Sequence, residues 1–401
     1  MKQTGINLEM VKKRNRDSIL RFLNQAGPIS RKDIATALGL TPAAVTQICG
    51  EFMTGGLLVE KGIQEEESRA GRKKVLVDIN YKYRWILGIN IETERTSIAL
   101  ADLAGQPAGL KELPTEHTMQ PEQFLHKIAS VCREMIAEAG KKEMEIVGVG
   151  VGITGLVDRE NGKSIHAYGI WNEEVPVASI LGKELNLPVI LENNVTCFAL
   201  AELIYGIGRE KDNLLFVKWG PGVGSAIVAD NKIYEGRNGK AAELGHYIIE
   251  KDGKPCTCGR KGCLETKIST HSLKAWLKEN LSREETPNWY EILNGNADAV
   301  NLNNLGELLE HMDPKVKQYA GEAMDRFARA IINCMTILAP NRVILFGPMF
   351  RFPSLREQLI ADCSYYDESY NASNIIYTEL SEREAYIGPI ALFVGEYLYG
   401  M

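Results

Sequence analysis

The chain is 401 residues long, with 45% hydrophobic and 24% charged side chains, a composition ordinary for a globular protein and a length beyond what one core supports. No window approaches the roughly 20 consecutive apolar residues of a membrane span, and the first residues hold no apolar signal core, so a cytoplasmic protein of two or three domains without a membrane partner is expected. The net charge of −6 conceals an asymmetry: residues 1–80 carry 13 basic and 9 acidic side chains, leaving 33 and 43 to the rest. A basic head on an acidic body points to a polyanionic partner that meets the head alone.

The head opens with an amphipathic helix over residues 8–25, with Val11, Ile19, Phe22 and Leu23 expected inward and Gly27-Pro28 as its stop. Ser30-Arg31-Lys32-Asp33 has the form of a capping box, starting a short helix that buries Ile34, Ala35 and Leu38 and ends at Gly39. Thr41-Pro42 then supplies an N-cap and a first-turn proline for a third helix that buries Val45, Ile48, Cys49 and Phe52. Two short helices across a glycine-containing turn have helix-turn-helix spacing. Ala43, Ala44, Thr46 and Gln47 on the third helix are small or amide-bearing, suited to close approach in a major groove, with Ser30, Arg31 and Thr41 flanking it. L-L-V-E-K-G and R-A-G-R-K-K-V-L-V-D-I follow as the strands of a wing, with Arg69, Arg72 and Lys73 set for phosphate or minor-groove contact. A winged helix-turn-helix over residues 1–80 that binds operator DNA is the reading these features share.

From about residue 83 the pattern turns α/β. W-I-L-G-I-N-I and R-T-S-I-A-L-A-D read as strands joined near Glu92–Arg95, a helix fits 121–140, and I-V-G-V-G-V-G-I is a buried strand. A helix over 176–185 and a strand at P-V-I-L-E-N-N complete one set. A second begins at N-L-L-F-V-K-W-G-P-G-V-G-S-A-I-V, continues through helical stretches 266–280 and 302–338, and ends on N-R-V-I-L-F-G. Two such sets imply two lobes with ligand chemistry in the cleft between them.

Residues 256–265, C-T-C-G-R-K-G-C-L-E, put three of the eight cysteines within eight positions, whereas Cys49, Cys132, Cys197, Cys334 and Cys363 lie singly in apolar patterns that fit packing. A disulfide knot conflicts with a reducing compartment, and Cys256 and Cys258 are too close for a comfortable bridge. A redox pair would show C-x-x-C at a helix start, which is absent. Cys256, Cys258 and Cys263 around Gly259 and Gly262 have the spacing of a structural zinc knuckle, with Arg260 and Lys261 placed to favour thiolates.

E-L-G-H at 243–246 and C-T-C-G-R-K-G-C-L-E at 256–265 match the E-x-G-H and C-x-C-G-x-x-G-C-x-E signatures of the ROK family of sugar kinases and sugar-responsive repressors, and the chain resembles its winged-helix repressor branch end to end. The resemblance implies a two-lobed actin-like (ribonuclease H-like) sugar kinase fold behind the winged helix, with residues 81–195 plus 384–401 forming the first lobe. Residues 196–383 would form the second, carrying the zinc site and a dimerisation surface. It makes His246 the fourth Zn2+ ligand and assigns Asn193, Glu243, His246 and Glu265 to a sugar, with Asn194 beside them and Gly155 on the loop G-I-T-G-L-V-D closing over it. Two carboxylates, an amide and an imidazole suit a polyhydroxylated ligand, because each can give or take hydrogen bonds from hydroxyls.

The departures from the kinases are equally specific. Where their E-N-D supplies an aspartate base, this chain has Glu192-Asn193-Asn194, and an amide cannot take the proton. Their D-x-G-G-T phosphate loop is here Asn90-Ile91-Glu92-Thr93-Glu94, their G-T-G turn is Gly220-Pro221-Gly222, and their later G-G turn is Gly347-Pro348. The expectation is a repressor without enzymatic activity, with no catalytic residues, working as a homodimer or homotetramer on operator DNA and responding to a monosaccharide of the xylose, glucose or N-acetylglucosamine class. An ATP-dependent sugar kinase with a regulatory DNA-binding domain is the alternative.

Overall fold

The computed structural model describes residues 8–64, 74–141, 145–207, 213–239 and 241–400. The head consists of α1 (Leu8–Ala26), β1 (Ile29–Ser30), α2 (Arg31–Leu38), α3 (Pro42–Thr54), β2 (Leu58–Gln64) and β3 (Lys74–Ile79), with β3 pairing antiparallel to both β1 and β2. Local chemistry sets the helix starts: the Ser30 hydroxyl accepts from the Asp33 amide at 3.2 Å, and Thr41 accepts from the Ala44 amide at 3.2 Å ahead of Pro42. Val45, Ile48, Cys49 and Phe52 are buried as the periodicity predicts. Val11 is not: it lies 40% exposed, and Leu20 at 2% takes the inward place, because the apolar stripe of α1 begins a turn later than the spacing suggests. Arg69, Arg72 and Lys73 lie outside the described residues.

The first sheet of the body, ordered β10-β7-β4-β5-β6, uses β4 (Trp85–Ile91), β5 (Arg95–Asp102), β6 (Pro107–Pro114), β7 (Ile146–Ile153) and β10 (Val189–Asn193). The β10, β7 and β4 strands are parallel, and the meander β4–β5–β6 is antiparallel. Helix α4 (Pro121–Glu138) precedes β7. The small hairpin β8 (Leu156–Asp158) and β9 (Lys163–His166) and helix α5 (Val177–Leu185) come between β7 and β10. Helix α6 (Asn194–Tyr205) leaves directly from β10.

The second sheet, ordered β13-β12-β11-β14-β15, comprises β11 (Leu214–Trp219), β12 (Val223–Ala229), β13 (Lys232–Ile233), β14 (Arg342–Phe346) and β15 (Ile375–Tyr377). Between β13 and β14 run α7 (Glu265–Ile268), α8 (Thr270–Asn280), α9 (Pro287–Ile292), α10 (Leu302–Glu310) and α11 (Pro314–Leu338), and α12 (Pro353–Tyr366) precedes β15. The last helix, α13 (Ile387–Tyr399), returns to the first sheet. Its approach explains the V-G-V-G-V-G run of β7: a Cβ on Gly150 would stand 1.9 Å from the Pro389 carbonyl oxygen, so only a bare backbone lets the helix lie there. The same helix also packs closely on α6, since a Cβ on Gly388 would stand 3.0 Å from the Phe198 amide.

Head and body share one core. Ile19, Leu23, Val45 and Phe52 of the head belong to the same buried cluster as Phe198 and Ile204 of α6 and Leu398 and Tyr399 of α13. No described helix is long and apolar enough to cross a membrane.

Candidate functional site

The metal-ligating group is built by a tightly folded segment after β13. Ser225 on β12 donates its hydroxyl to the Ala242 carbonyl and accepts from the Leu244 amide at 3.2 Å, which pins the start of E-L-G-H to the sheet. The cysteine loop is closed by the Cys256 amide donating to the Arg260 carbonyl at 2.8 Å and by an isolated bridge between Ile248 and Cys263. Gly262 makes this turn with φ +74°, and a Cβ there would fall 1.7 Å from the Glu250 carbonyl oxygen. The result brings one ligand atom each from His246, Cys256, Cys258 and Cys263 within 4.8 Å of one another. The Cys256 sulfur lies 3.5 Å from His246 Nδ1, and the Cys258 and Cys263 sulfurs are 3.7 Å apart.

The donor chemistry fits a tetrahedral metal site with three sulfurs and one imidazole nitrogen. Burial, with Arg260 nearby, lowers the His246 pKa to about 4, so its ring is neutral and keeps a lone pair for ligation. Burial pushes the Cys258 thiol up, but the Arg260 backbone amide and guanidinium outweigh it and leave Cys258 below its ordinary value. These four residues could hold a metal ion, and the three thiols are all free of disulfides. Because Nδ1 faces the sulfurs, the other ring nitrogen faces Glu243, with Nε2 3.8 Å from its carboxylate.

That second nitrogen looks into a cavity of about 140 Å³ between the two sheets. Of the residues the sequence singles out, Gly155, Asn193, Asn194, Glu243, His246 and Glu265 all line it. Glu265 opens α7, and its Oε2 accepts from the Val223 amide at 2.9 Å; burial, reinforced by nearby Glu243, raises its pKa although that amide works the other way. Asn193 is the N-cap of α6. Its Oδ1 accepts from the Val195 and Thr196 amides at 2.8 and 3.4 Å, while Nδ2 donates to the Gly155 carbonyl at 2.8 Å. Tyr168, Thr154, Thr257 and His271 also line the cavity. Thr257 and Thr154 lie inside the cysteine signature and the G-I-T-G-L-V-D loop but were not singled out within them, His271 sits on α8 outside any signature, and Tyr168 is noticed only through its edge-on ring contact with His246 at 5.3 Å.

Glu92 holds the back wall. It stands in the stretch that replaces the kinases' phosphate loop, and a cation faces it there. Its carboxylate pairs with Lys218 of β11, from the opposite sheet, and accepts from Asn194 at 3.0 Å and Asn90 at 3.3 Å. Burial would push its pKa up, but Lys218 and the amide donors overcome this and hold it below its ordinary value. Protein surrounds it, although a third of its side-chain surface faces the cleft, while Lys218 is 13% exposed. Beyond Glu92 and Pro221 the cleft widens into a cavity of about 460 Å³, where Asn90 Oδ1 and Glu384 Oε2 are buried without a hydrogen-bond partner among the described residues.

On the head, Ala43, Thr46 and Gln47 stand exposed on one side of α3, with Thr41 at its start and Ala44 half-buried. Two expectations change. Ser30 is 3% exposed, and its hydroxyl also donates to Asp33 at 2.6 Å, so it is a cap and not a surface contact. Arg31 folds back toward Met53 and Glu60, at 2.9 and 3.3 Å, and faces the wing as much as solvent.

The ROK family model matches residues 86–396. The chain is 27% identical over 398 residues to the xylose repressor of Caldicellulosiruptor bescii, covering 98% of each. A solved ROK family transcriptional regulator, a homologue of the E. coli MLC protein, superposes with a TM-score of 0.77 at 22% identity over 97% of both chains. A ROK family glucokinase from Streptomyces griseus, in complex with glucose and AMPPNP, superposes with a TM-score of 0.64 at 22% identity, covering 77% of this chain and 98% of that one. Two five-stranded sheets facing across a cleft are the two-lobed fold these proteins share, and with more than three quarters of its length matched, the chain belongs to the ROK family.

Proposed function

We propose that this protein is a sugar-responsive transcriptional repressor: the winged head holds operator DNA, and a monosaccharide in the interlobe cavity releases it. The observation that carries the reading is the end-to-end match to a named xylose repressor, covering head and cavity alike. The geometry supports it. Glu243, Glu265, Asn193 and the His246 ring line one small cavity, where two carboxylates and an imidazole suit hydroxyls pointing in several directions. The Gly155 backbone and Asn194 complete the wall. Ala43, Ala44, Thr46 and Gln47 would face the major groove from α3, with Thr41 and Arg31 at its margin and Arg69, Arg72 and Lys73 of the wing on phosphates. Two heads spaced for paired half-sites, in a homodimer or homotetramer, would match operator symmetry.

His246, Cys256, Cys258 and Cys263 would hold a structural Zn2+, which when bound supplies a crosslink between the two ends of the knuckle. The chain's own residues then do the recognition: the knuckle fixes the His246 ring, so Nε2 keeps one orientation toward Glu243 and the ligand, and α7 presents Glu265 from the other side. Chemistry on the sugar is not supported. Asn194 cannot act as a base, and Glu92, the carboxylate it bonds, is made a weaker base by Lys218 and already takes donors on Oε1.

The test is a titration of the purified full-length protein on the duplex it selects from a random pool, with xylose, glucose and N-acetylglucosamine. Loss of binding with one of the three, and no ADP formed from ATP with any, is the expected result. The likeness to a glucokinase solved with glucose and AMPPNP favours a second reading, a kinase with a DNA-binding head; sugar-dependent ADP release would establish that one.

A further inference from the structure

The following rests on the repressor reading and concerns how its cavity speaks to its head. Two helices begin at the cleft and end under the head. Helix α6 starts at the cavity, where Asn193 is both its N-cap and a wall residue, and runs 12 residues, about 18 Å at 1.5 Å per residue. Helix α13 follows the Glu384 end of the cleft and runs 13 residues beside it, about 20 Å on the same scale. The two are locked together by the close approach at Gly388 and clamped to β7 at Gly150.

Their far ends carry carbonyls with no partner inside the helix. The head supplies both partners from one turn of α1. Asn24 donates to the Ile204 carbonyl at the end of α6 at 2.8 Å, and Arg21 donates to the Tyr399 carbonyl at the end of α13 at 3.1 Å, with its guanidinium 5.8 Å from the Tyr399 ring centre. Tyr81 steadies Asn24 through a 3.1 Å bond to its Oδ1. At the cleft, the loop carrying Gly155 is tied to the start of α6, where Asn193 donates to the Gly155 carbonyl, and just beyond β8 Arg159 reaches Glu396 in the last turn of α13 at 3.6 Å.

We propose that α6 and α13 are paired struts that carry a change in the sugar cavity to the DNA-binding head, and that Asn24 and Arg21 are the positioning residues through which the head follows them. A ligand that pulls on Asn193 or the Gly155 loop shifts the near end of α6, and α13, packed against it at Gly388, moves with it. The head must move with their far ends or abandon the carbonyls it caps. Neither Arg21 nor Asn24 lies on the α3 surface that faces DNA or in the cavity, so their part is coupling alone.

The experiment uses the full-length protein, the duplex selected by the wild type, and xylose, glucose and N-acetylglucosamine as probes. The quantity read is the ratio of duplex Kd with sugar to that without, which for coupled sites falls roughly in the 5–150-fold range. In the Arg21→Ala/Asn24→Ala double variant the ratio should drop to within about twofold of one, while sugar affinity measured without DNA stays within about twofold of wild type; reciprocity requires the duplex to lose its effect on sugar affinity as well. Arg21→Lys, which keeps a donor, should retain most of the ratio. A double variant with the wild-type ratio overturns the struts while leaving the repressor reading intact. A wild type whose DNA binding ignores all three sugars overturns that reading and takes this inference with it. Amide exchange in α1 supplies a second readout: sugar should change it in the wild type and not in the double variant, and equal changes in both would count against the proposal.

Discussion

The knuckle at 243–265 and the junction at Glu92 and Lys218 both shape the cavity, yet by opposite means. The knuckle is local. Its four ligands fall within eighteen residues, brought together by backbone turns at Gly259 and Gly262, with Leu244 and Leu264 anchoring the loop in the second lobe's core. The junction is long-range. A carboxylate and an ammonium 126 residues apart meet inside the cleft, with amide donors from Asn90 and Asn194 completing the shell. One half of the cavity is shaped by a short loop whose four donors could share a metal, the other by two sheets tied by charge. The first should fail when metal leaves, and the second when either charge is removed.

The effect expected to reach the most properties at once is at the knuckle. Cys258→Ser, or a chelator on the wild type, should strip the metal and weaken sugar binding at least tenfold, about 1.4 kcal/mol. Metal analysis and calorimetry read this, and full metal content in the serine variant would remove Cys258 from the ligand set. At the junction, Lys218→Met leaves Glu92 without its cation. Because Glu92 is a third open to the cleft, the loss should be about 2 kcal/mol, below the roughly 3–5 typical of a fully buried pair. Urea unfolding measures it, and a midpoint unchanged from wild type would show that the pair contributes nothing.

Glu265→Ala returns to the knuckle and separates recognition from stability. It should cost sugar affinity tenfold or more with a smaller change in melting temperature, since the fold loses the bond to the Val223 amide and a long 4.0 Å contact from the Cys256 thiol. Equal affinity in the variant would take Glu265 out of the binding wall. The smallest effect is a pH dependence at the junction. Burial, only partly countered by Lys218, raises the Glu384 pKa to about 7 from its ordinary 4.5. The stability linked to this group is therefore fully present below pH 4.5 and lost as pH rises through 7. Glu384→Gln should flatten that stretch of the melting-temperature profile, and a parallel profile in the variant would place the titration elsewhere.

How much of this could be read from the residues follows the same division. The knuckle was legible because cysteine spacing is short-range and chemically narrow. The head was legible through caps at Ser30 and Thr41 and a clear apolar period in α3. Glu92 pairing with Lys218 was not, since nothing in a sequence brings two β-strand termini 126 residues apart to one point. Helices α6 and α13 were missed for another reason: both are buried on nearly every side, so N-V-T-C-F-A-L-A-E-L-I-Y and I-G-P-I-A-L-F-V-G-E-Y-L-Y show no polar face to reveal a helical period. Ser30 was misread as a DNA contact because a capping hydroxyl and a phosphate-binding one look alike until burial is known.

The shared core of head and body has a practical corollary for anyone wishing to rewire this protein. Ile19 and Leu23 of α1 sit in one apolar mass with Ile204, Leu398 and Tyr399, so cutting near residue 80 would leave a greasy scar on both fragments. A chimaera carrying a foreign DNA reader would have to import the inner side of α1 along with α3, or the graft would aggregate before it ever met an operator.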